Sequence, residues 1–131
     1  MIIVGGFTRI DAAKCDDLLP HAKTMIEKTR AEDGCHVYCF AFDLVEPGLM
    51  RIYEEWESRA HLDAHIATAH MADWRAALGE IGVIERKVKI YEAEQVGSQQ
   101  QAIERARQRV KQATRYQRGK TRWPVAGRNL R

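Results

Sequence analysis

The sequence has few cysteines, and their spacing argues against both disulfides and a metal cluster. Three cysteines among 131 residues do not complete a disulfide framework. Cys35 and Cys39 would lie about 13 Å apart along one face of a strand, which is beyond the reach of a disulfide. Their C-x3-C spacing lacks the second ligand pair of a zinc finger. We therefore expect reduced thiols and a cytoplasmic location.

Long apolar runs are also missing. No stretch approaches the roughly 18 residues of a membrane span. The N-terminal MIIVGGFTRI lacks the basic region and long apolar core of a secretory signal. With 45% hydrophobic and 30% charged residues, the composition predicts one globular domain, with an appendage, that does not engage a membrane.

Acidic residues are nearly absent from the C-terminal quarter. Residues 98–131 contain ten Lys and Arg against the single acid Glu104, so that part carries +9 and residues 1–97 carry −6. This boundary predicts a domain over 1–97 and a basic, helical or partly disordered extension over 98–131. A solvated or dimer-docking role is favoured for the extension, and binding of nucleic acid or anionic lipid is the alternative.

Hydrophobic periodicity predicts the order β-α-β-β-α-β, the ferredoxin-like arrangement of an α+β protein. Alternation places the four strands at Ile2–Arg9, His36–Asp43, Leu49–Glu57 and Val83–Ala93. Helical spacing places one helix between caps at Asp16–Asp17 and Asp33–Gly34, and another over about Arg59–Leu78 behind the cap Ser58. The adjacent Gly5 and Gly6 indicate a bend or a close approach in the first strand.

The second strand is apolar on both faces, whereas an antiparallel sheet normally has one solvated face. We therefore expect helices on one face of the sheet and a second subunit on the other, giving a homodimer.

A carboxylate, an indole and imidazoles suggest a small-molecule site. Glu54 is either a base whose pKa is raised by apolar surroundings or a partner in a structural hydrogen bond. Trp56, on the same strand face, is either a stacking wall for a planar substrate or core. His65 is the candidate acid/base, because an imidazole titrates near neutral pH. We expect the substrate-binding set to include five aromatic or imidazole side chains: Trp56, Tyr38, His70, Trp74 and Phe7.

The helical histidines do not predict a metal site. His61 and His65 are four residues apart, but His70 is five residues further on. Three histidines on one continuous helix would need spacings of four or seven to meet at one ion. No metal ligand is therefore predicted.

Several ordered motifs resemble the antibiotic biosynthesis monooxygenase family, particularly its quinol monooxygenase members, over residues 2–93. They are Glu32-Asp33-Gly34-Cys35-His36-Val37-Tyr38, Glu54-x-Trp56-Glu57-Ser58, Ala60-His61-Leu62-x-Ala64-His65 and Thr68-x-His70-Met71. The resemblance implies a ferredoxin-like protomer that pairs through its sheet into a dimeric α+β barrel. It also implies a pocket between sheet and helices.

The same resemblance implies oxygenation of quinols or polyketide-like aromatics by O2, without metal, flavin or haem. Haem-degrading relatives carry an Asn and an axial His where this chain has Phe7 and Arg75, so haem is not predicted. Two alternatives stay open on this fold, a non-oxidative isomerase or tautomerase and a non-catalytic binding or stress-response module.

Overall fold

The computed structural model describes residues 1–120, and the end of the predicted extension, 121–131, lies outside the described residues. The strands are β1 (Ile2–Ile10), β2 (Cys35–Phe42), β3 (Leu49–Trp56) and β4 (Val83–Glu92). The helices are α1 (Cys15–Arg30), α2 (Arg59–Ile66), α3 (Ala69–Ile81) and α4 (Gln99–Lys120). Among the described residues, no helix is long and apolar enough to cross a membrane.

The four strands form one antiparallel sheet in the order β2-β3-β1-β4. Together with the helices after β1 and β3, this order confirms the predicted ferredoxin-like α+β fold. The chain divides into a unit over Met1–Glu94 and a second unit that begins at Gln95 and contains α4.

The hydrophobic core lies on one face of the sheet, which we call the inner face. The register aligns Val4 with Glu54 and Glu54 with Tyr38, so these side chains share that face. Helices α1, α2 and α3 cover it with buried apolar side chains, including Leu18, Met25, Leu62, Trp74 and Leu78. Removal of such side chains from water is the main stabilising contribution to the fold.

The opposite, outer face retains exposed apolar area. It carries Ile3 and Phe7 from β1 and Tyr53 from β3, and Tyr53 is 41% exposed. On β4, Tyr91 pairs with Ile3 and is 50% exposed. The Arg51 guanidinium lies 5.9 Å from the centre of the Phe7 ring. Phe7 is therefore separated by the sheet from the side chains of the inner face.

The predicted helix over Arg59–Leu78 is wrong in one respect, because it is two helices. Helix α2 ends at Ile66, and Thr68 begins the next turn as the cap of α3. The Thr68 hydroxyl accepts a hydrogen bond from the Met71 amide at 3.2 Å and donates one to the His65 carbonyl at 2.7 Å. A threonine hydroxyl that satisfies both helix ends makes the break favourable.

The boundaries of α1 also differ from the prediction. Asp16 and Asp17 lie in its first turn and do not cap it, since a short 3-10 turn over Ala12–Lys14 precedes them. The carboxylates therefore act through their charge near the helix N-terminus. The helix ends at Arg30, and Gly34, with φ +74°, belongs to the turn into β2.

Gly5 and Gly6 are adjacent in β1 but have different surroundings, because a methyl group at Gly5 would meet nothing within 4 Å. A methyl group at Gly6 would lie 1.9 Å from the Lys87 carbonyl oxygen of β4, so the predicted close approach occurs there. A methyl group at Gly79, inside α3, would meet nothing within 4 Å. Of these three positions, only Gly6 therefore requires glycine for steric reasons.

We expect Gly6→Ala to lower the free energy of unfolding by about 2 kcal/mol or more, since β4 must shift to remove the overlap. Gly79→Ala is the matched control and should raise it by about 1 kcal/mol or less, because alanine favours a helix. Urea unfolding followed by circular dichroism measures both. Equal effects of the two substitutions would contradict the role assigned to Gly6.

Candidate functional site

Glu54 is held on the inner face by the tryptophan two residues further along β3. The side chain is only 7% exposed. The Trp56 indole N–H donates a hydrogen bond to Glu54 Oε2 at 2.8 Å. Burial raises the pKa of Glu54 above its ordinary value, while the Trp56 bond and the positive charge of Arg86 act against that rise. The carboxyl group is thus fixed in place and holds a proton to higher pH than an exposed glutamate does.

His65 is held by a carboxylate from elsewhere in the chain. Its ring lies in the last turn of α2 and is 2% exposed, and Nδ1 lies 2.6 Å from Glu32 Oε2. Burial lowers the pKa of His65, and the bond to the Glu32 charge opposes that effect. Because an ionised carboxylate only accepts, the proton of the neutral ring is on Nδ1 and Nε2 keeps its lone pair.

Two further aromatic side chains fix the imidazole plane. The Trp56 and His65 ring centres are 4.7 Å apart with planes 32° apart. Tyr38 meets His65 at 5.4 Å and Trp56 at 6.4 Å, both edge to face. Burial strongly raises the pKa of the Tyr38 hydroxyl, so Tyr38 stays neutral. These contacts leave the His65 ring little freedom to rotate.

A cavity of about 370 Å³ lies between the inner face of the sheet and helices α2 and α3. Both predicted catalytic side chains, Glu54 and His65, line it. Its wall is otherwise apolar except for one guanidinium, that of Arg86 on β4. The complete lining is Val4, Glu54, Leu62, His65, Ile66, Met71, Arg86, Val88 and Ile90. An acid with a raised pKa, a neutral imidazole and an apolar wall together suit proton transfer to or from a small aromatic molecule.

The predicted substrate-binding residues do not form one set. Trp56 and Tyr38 are 0% and 2% exposed, so they support the two ionisable groups from behind instead of facing the cavity. His70 and Trp74 line a separate cavity of about 350 Å³ between α1 and α3. Trp74 also stacks on Phe40, with ring centres 5.0 Å apart. Phe7 is on the outer face of the sheet, away from both cavities.

Glu32 and Arg86 belong to the site, and sequence reasoning did not single them out. Glu32 lies in the turn between α1 and β2, and its Oε2 is also 3.2 Å from His70 Nε2. Its only signal in the sequence is the acidic pair before Gly34. Arg86 shares the inner face of β4 with Val88 and Ile90, and strand alternation alone does not say what its side chain meets. Glu32, His65 and His70 are also the described residues whose ligand atoms, all within 4.8 Å of one another, could hold a metal ion.

The fold is shared with several solved structures. One, described as an antibiotic biosynthesis monooxygenase, is 31% identical, with a TM-score of 0.63 and coverage of 72% of this chain and 100% of that one. Rv0793 from Mycobacterium tuberculosis is 27% identical, with a TM-score of 0.65 and coverage of 74% of this chain and 98% of that one.

A family model, that of antibiotic biosynthesis monooxygenase, matches residues 1–77. The chain therefore belongs to the antibiotic biosynthesis monooxygenase family, as its motifs predicted. The probable quinol monooxygenase YgiN of Escherichia coli is 37% identical over 67 residues, 45% of this chain and 64% of that protein. The chain spans 55 to 64% of the length of the curated relatives it matches.

The raised pKa of Glu54 predicts a specific pH dependence of stability. A carboxyl group whose pKa is higher in the folded state adds stability at low pH, and this contribution is lost as pH rises from the ordinary Glu range through the folded pKa. Glu54→Gln keeps an oxygen for the Trp56 N–H but cannot ionise. The unfolding free energy of E54Q minus that of the wild type should therefore increase with pH and then level off.

Urea unfolding at intervals from about pH 4 to about pH 8 covers this window. Glu57→Gln, at an exposed position three residues on, is the control for loss of one carboxylate. A difference for E54Q that is constant or decreases with pH would be incompatible with a desolvated Glu54.

Proposed function

We propose that the protein is a cofactor-independent monooxygenase that uses O2 on a quinol or polyketide-like aromatic substrate. The observation that carries the proposal is the presence of Glu54 and His65 on one largely apolar cavity, each held by its own hydrogen-bond partner. Membership of the family supports a monooxygenase-type activity. The name of the Escherichia coli relative supports the quinol class of substrate.

In the proposed reaction, His65 is the base. Its Nε2 lone pair takes the proton of a phenol or enol bound in the cavity, and the imidazolium that forms is stabilised by Glu32 at 2.6 Å. Glu32 is thus a positioning residue that fixes the tautomer and the orientation of the ring. Arg86, on the cavity wall, lies where its charge favours the substrate anion.

The electron-rich anion then reduces O2 itself, so the proposal needs no redox centre from the protein. For an anthrone, one oxygen atom becomes the new carbonyl oxygen, and the other leaves as water with the two hydrogens of the oxidised methylene. Glu54, with its raised pKa, is the acid that protonates the departing oxygen. The protein supplies orientation, exclusion of water and proton transfer.

We propose that a second copy of the chain covers the outer face of the sheet. Exposed apolar side chains on that face support this, since Tyr53 is 41% and Tyr91 50% exposed. Exposed apolar area on a sheet face favours association. Such pairing leaves the cavity on the inner face of each copy open to substrate.

Activity should depend on His65 more than on Glu32. With an anthrone and metal-free protein, we expect His65→Gln to lower the rate of O2 uptake above spontaneous oxidation by about 100-fold, the usual contribution of a general base. Glu32→Gln should lower it by about tenfold. The rate should rise with pH as His65 loses its proton, at lower pH than for an ordinary histidine because the pKa of His65 is lowered. It should fall again as Glu54, the proposed acid, ionises.

The pH profile separates positioning from a structural role for Glu32. Glu32 raises the pKa of His65, so Glu32→Gln should move the profile to lower pH. His36→Gln, at an exposed histidine of β2, is the control and should leave rate and profile unchanged. An uptake rate that equals spontaneous oxidation for the wild type, or is equal for the wild type and His65→Gln, rejects the proposal. Product formed without O2 would identify an isomerase instead.

The homodimer has its own test. Val37 lies on the outer face, opposite Glu55 of β3, and is only half-buried. We expect Val37→Arg to convert a dimer to a folded monomer in sedimentation velocity, because it introduces an unpaired charge into the interface. His36→Arg adds the same charge at the exposed neighbouring position and should leave a dimer. A monomeric wild type contradicts the dimer proposal.

A further inference from the structure

One carboxylate oxygen, that of Glu32, contacts two imidazoles. Neither Glu32 nor His70 lines the cavity that contains Glu54 and His65. Glu32 Oε2 lies 2.6 Å from His65 Nδ1 and 3.2 Å from His70 Nε2. The three ligand atoms all lie within 4.8 Å of one another. Among the described residues, this is the group of His, Cys, Asp and Glu side chains that converges closely enough to hold an ion.

The break between α2 and α3 creates this convergence. On a continuous helix, residues five apart point about 140° away from each other, so His65 and His70 could not meet. The Thr68 cap ends one helix and starts the next, which turns His70 towards His65. Glu32 then reaches both rings from the turn after α1, 33 and 38 residues earlier in the chain.

The geometry is close to that of a metal centre. Donor atoms at about 2.1 Å from a tetrahedral ion lie about 3.4 Å from one another. Glu32 Oε2 lies 2.6 Å from His65 Nδ1 and 3.2 Å from His70 Nε2, both shorter than that value. The two imidazole nitrogens lie within 4.8 Å of each other. Small rotations of Glu32 and His70 would therefore place all three donors around one ion. An ion bound there would replace the proton on His65 Nδ1.

The chemistry of the donors selects the kind of ion. Two imidazoles and one carboxylate suit zinc, cobalt, nickel or ferrous iron, while calcium and magnesium prefer oxygen alone. The His65 side chain is 2% exposed, but those of His70 and Glu32 are 16% and 17% exposed. An ion can therefore enter from the side of these two, and water can occupy the remaining coordination position.

We propose that Glu32, His65 and His70 form a site for one divalent transition-metal ion of the zinc type. The inference does not depend on the proposed oxygenase activity, since it concerns metal binding at His65 Nδ1, the nitrogen beside Glu32, and not at the Nε2 lone pair of the proposed base. It also accounts for the carboxylate oxygen that is shared by the buried imidazole of His65 and the part-buried imidazole of His70.

Titration of the full-length, chelator-treated protein with Co²⁺ tests the proposal. We expect one Co²⁺ per chain, with visible d–d absorption that Zn²⁺ abolishes by competition. Glu32→Gln and His70→Gln should each weaken binding by at least about tenfold. His36→Gln, at an exposed histidine, should bind as the wild type does. The binding readout uses no substrate, so an inactive protein would not affect it.

Metal-dependent thermal stability provides a second readout. Zn²⁺ should raise the Tm of the wild type and of His36→Gln, because an ion that binds only the folded state stabilises it. At the same Zn²⁺ concentration it should raise the Tm of Glu32→Gln and His70→Gln by less. Equal Co²⁺ affinity in the wild type and both ligand variants, or no binding to the wild type at micromolar protein, overturns the proposal. If one variant does not fold, the other decides.

Discussion

The buried indole of Trp56 is the constraint on which the candidate site depends. With 0% exposure, it joins the sheet to the helices by two different interactions. Its N–H binds the carboxylate of Glu54, and its ring face supports the imidazole of His65. A single core residue thus fixes the positions of an acid and a base that come from different elements. Both groups are desolvated by the same packing, which moves their pKa values towards the neutral forms.

This arrangement separates the groups that face the cavity from those that hold them. Glu54 and His65 line the cavity, while Trp56 and Glu32 bind them from the side of the core and of the α1–β2 turn. Desolvated ionisable groups lower stability unless they are hydrogen-bonded, so each needs a fixed partner. The two partners are therefore as much a part of the site as the groups on its wall.

Much of the fold could be predicted because it depends on local patterns. Alternation and helical spacing located the strands and the first helix within a few residues, and the same period of two placed Glu54 and Trp56 on one face. Periodicity does not say which face of a sheet the helices cover, and Phe7, which was expected in the substrate site, lies on the outer face. It also did not reveal the break at Thr68, where a single hydroxyl outweighs a continuing apolar stripe. Glu32 could not be predicted, because its contact with His65 joins positions 33 residues apart.

The short length of α2 has a consequence for dynamics. Eight residues are fewer than the roughly 12 that an isolated helix needs to be even marginally stable in water. The segment therefore persists through the burial of Leu62 and His65. When α2 unfolds locally, the His65 imidazole loses its fixed orientation as well. The free energy of that local opening thus sets the fraction of time for which the His65 ring is correctly oriented. Native-state hydrogen exchange of the α2 amides measures this free energy.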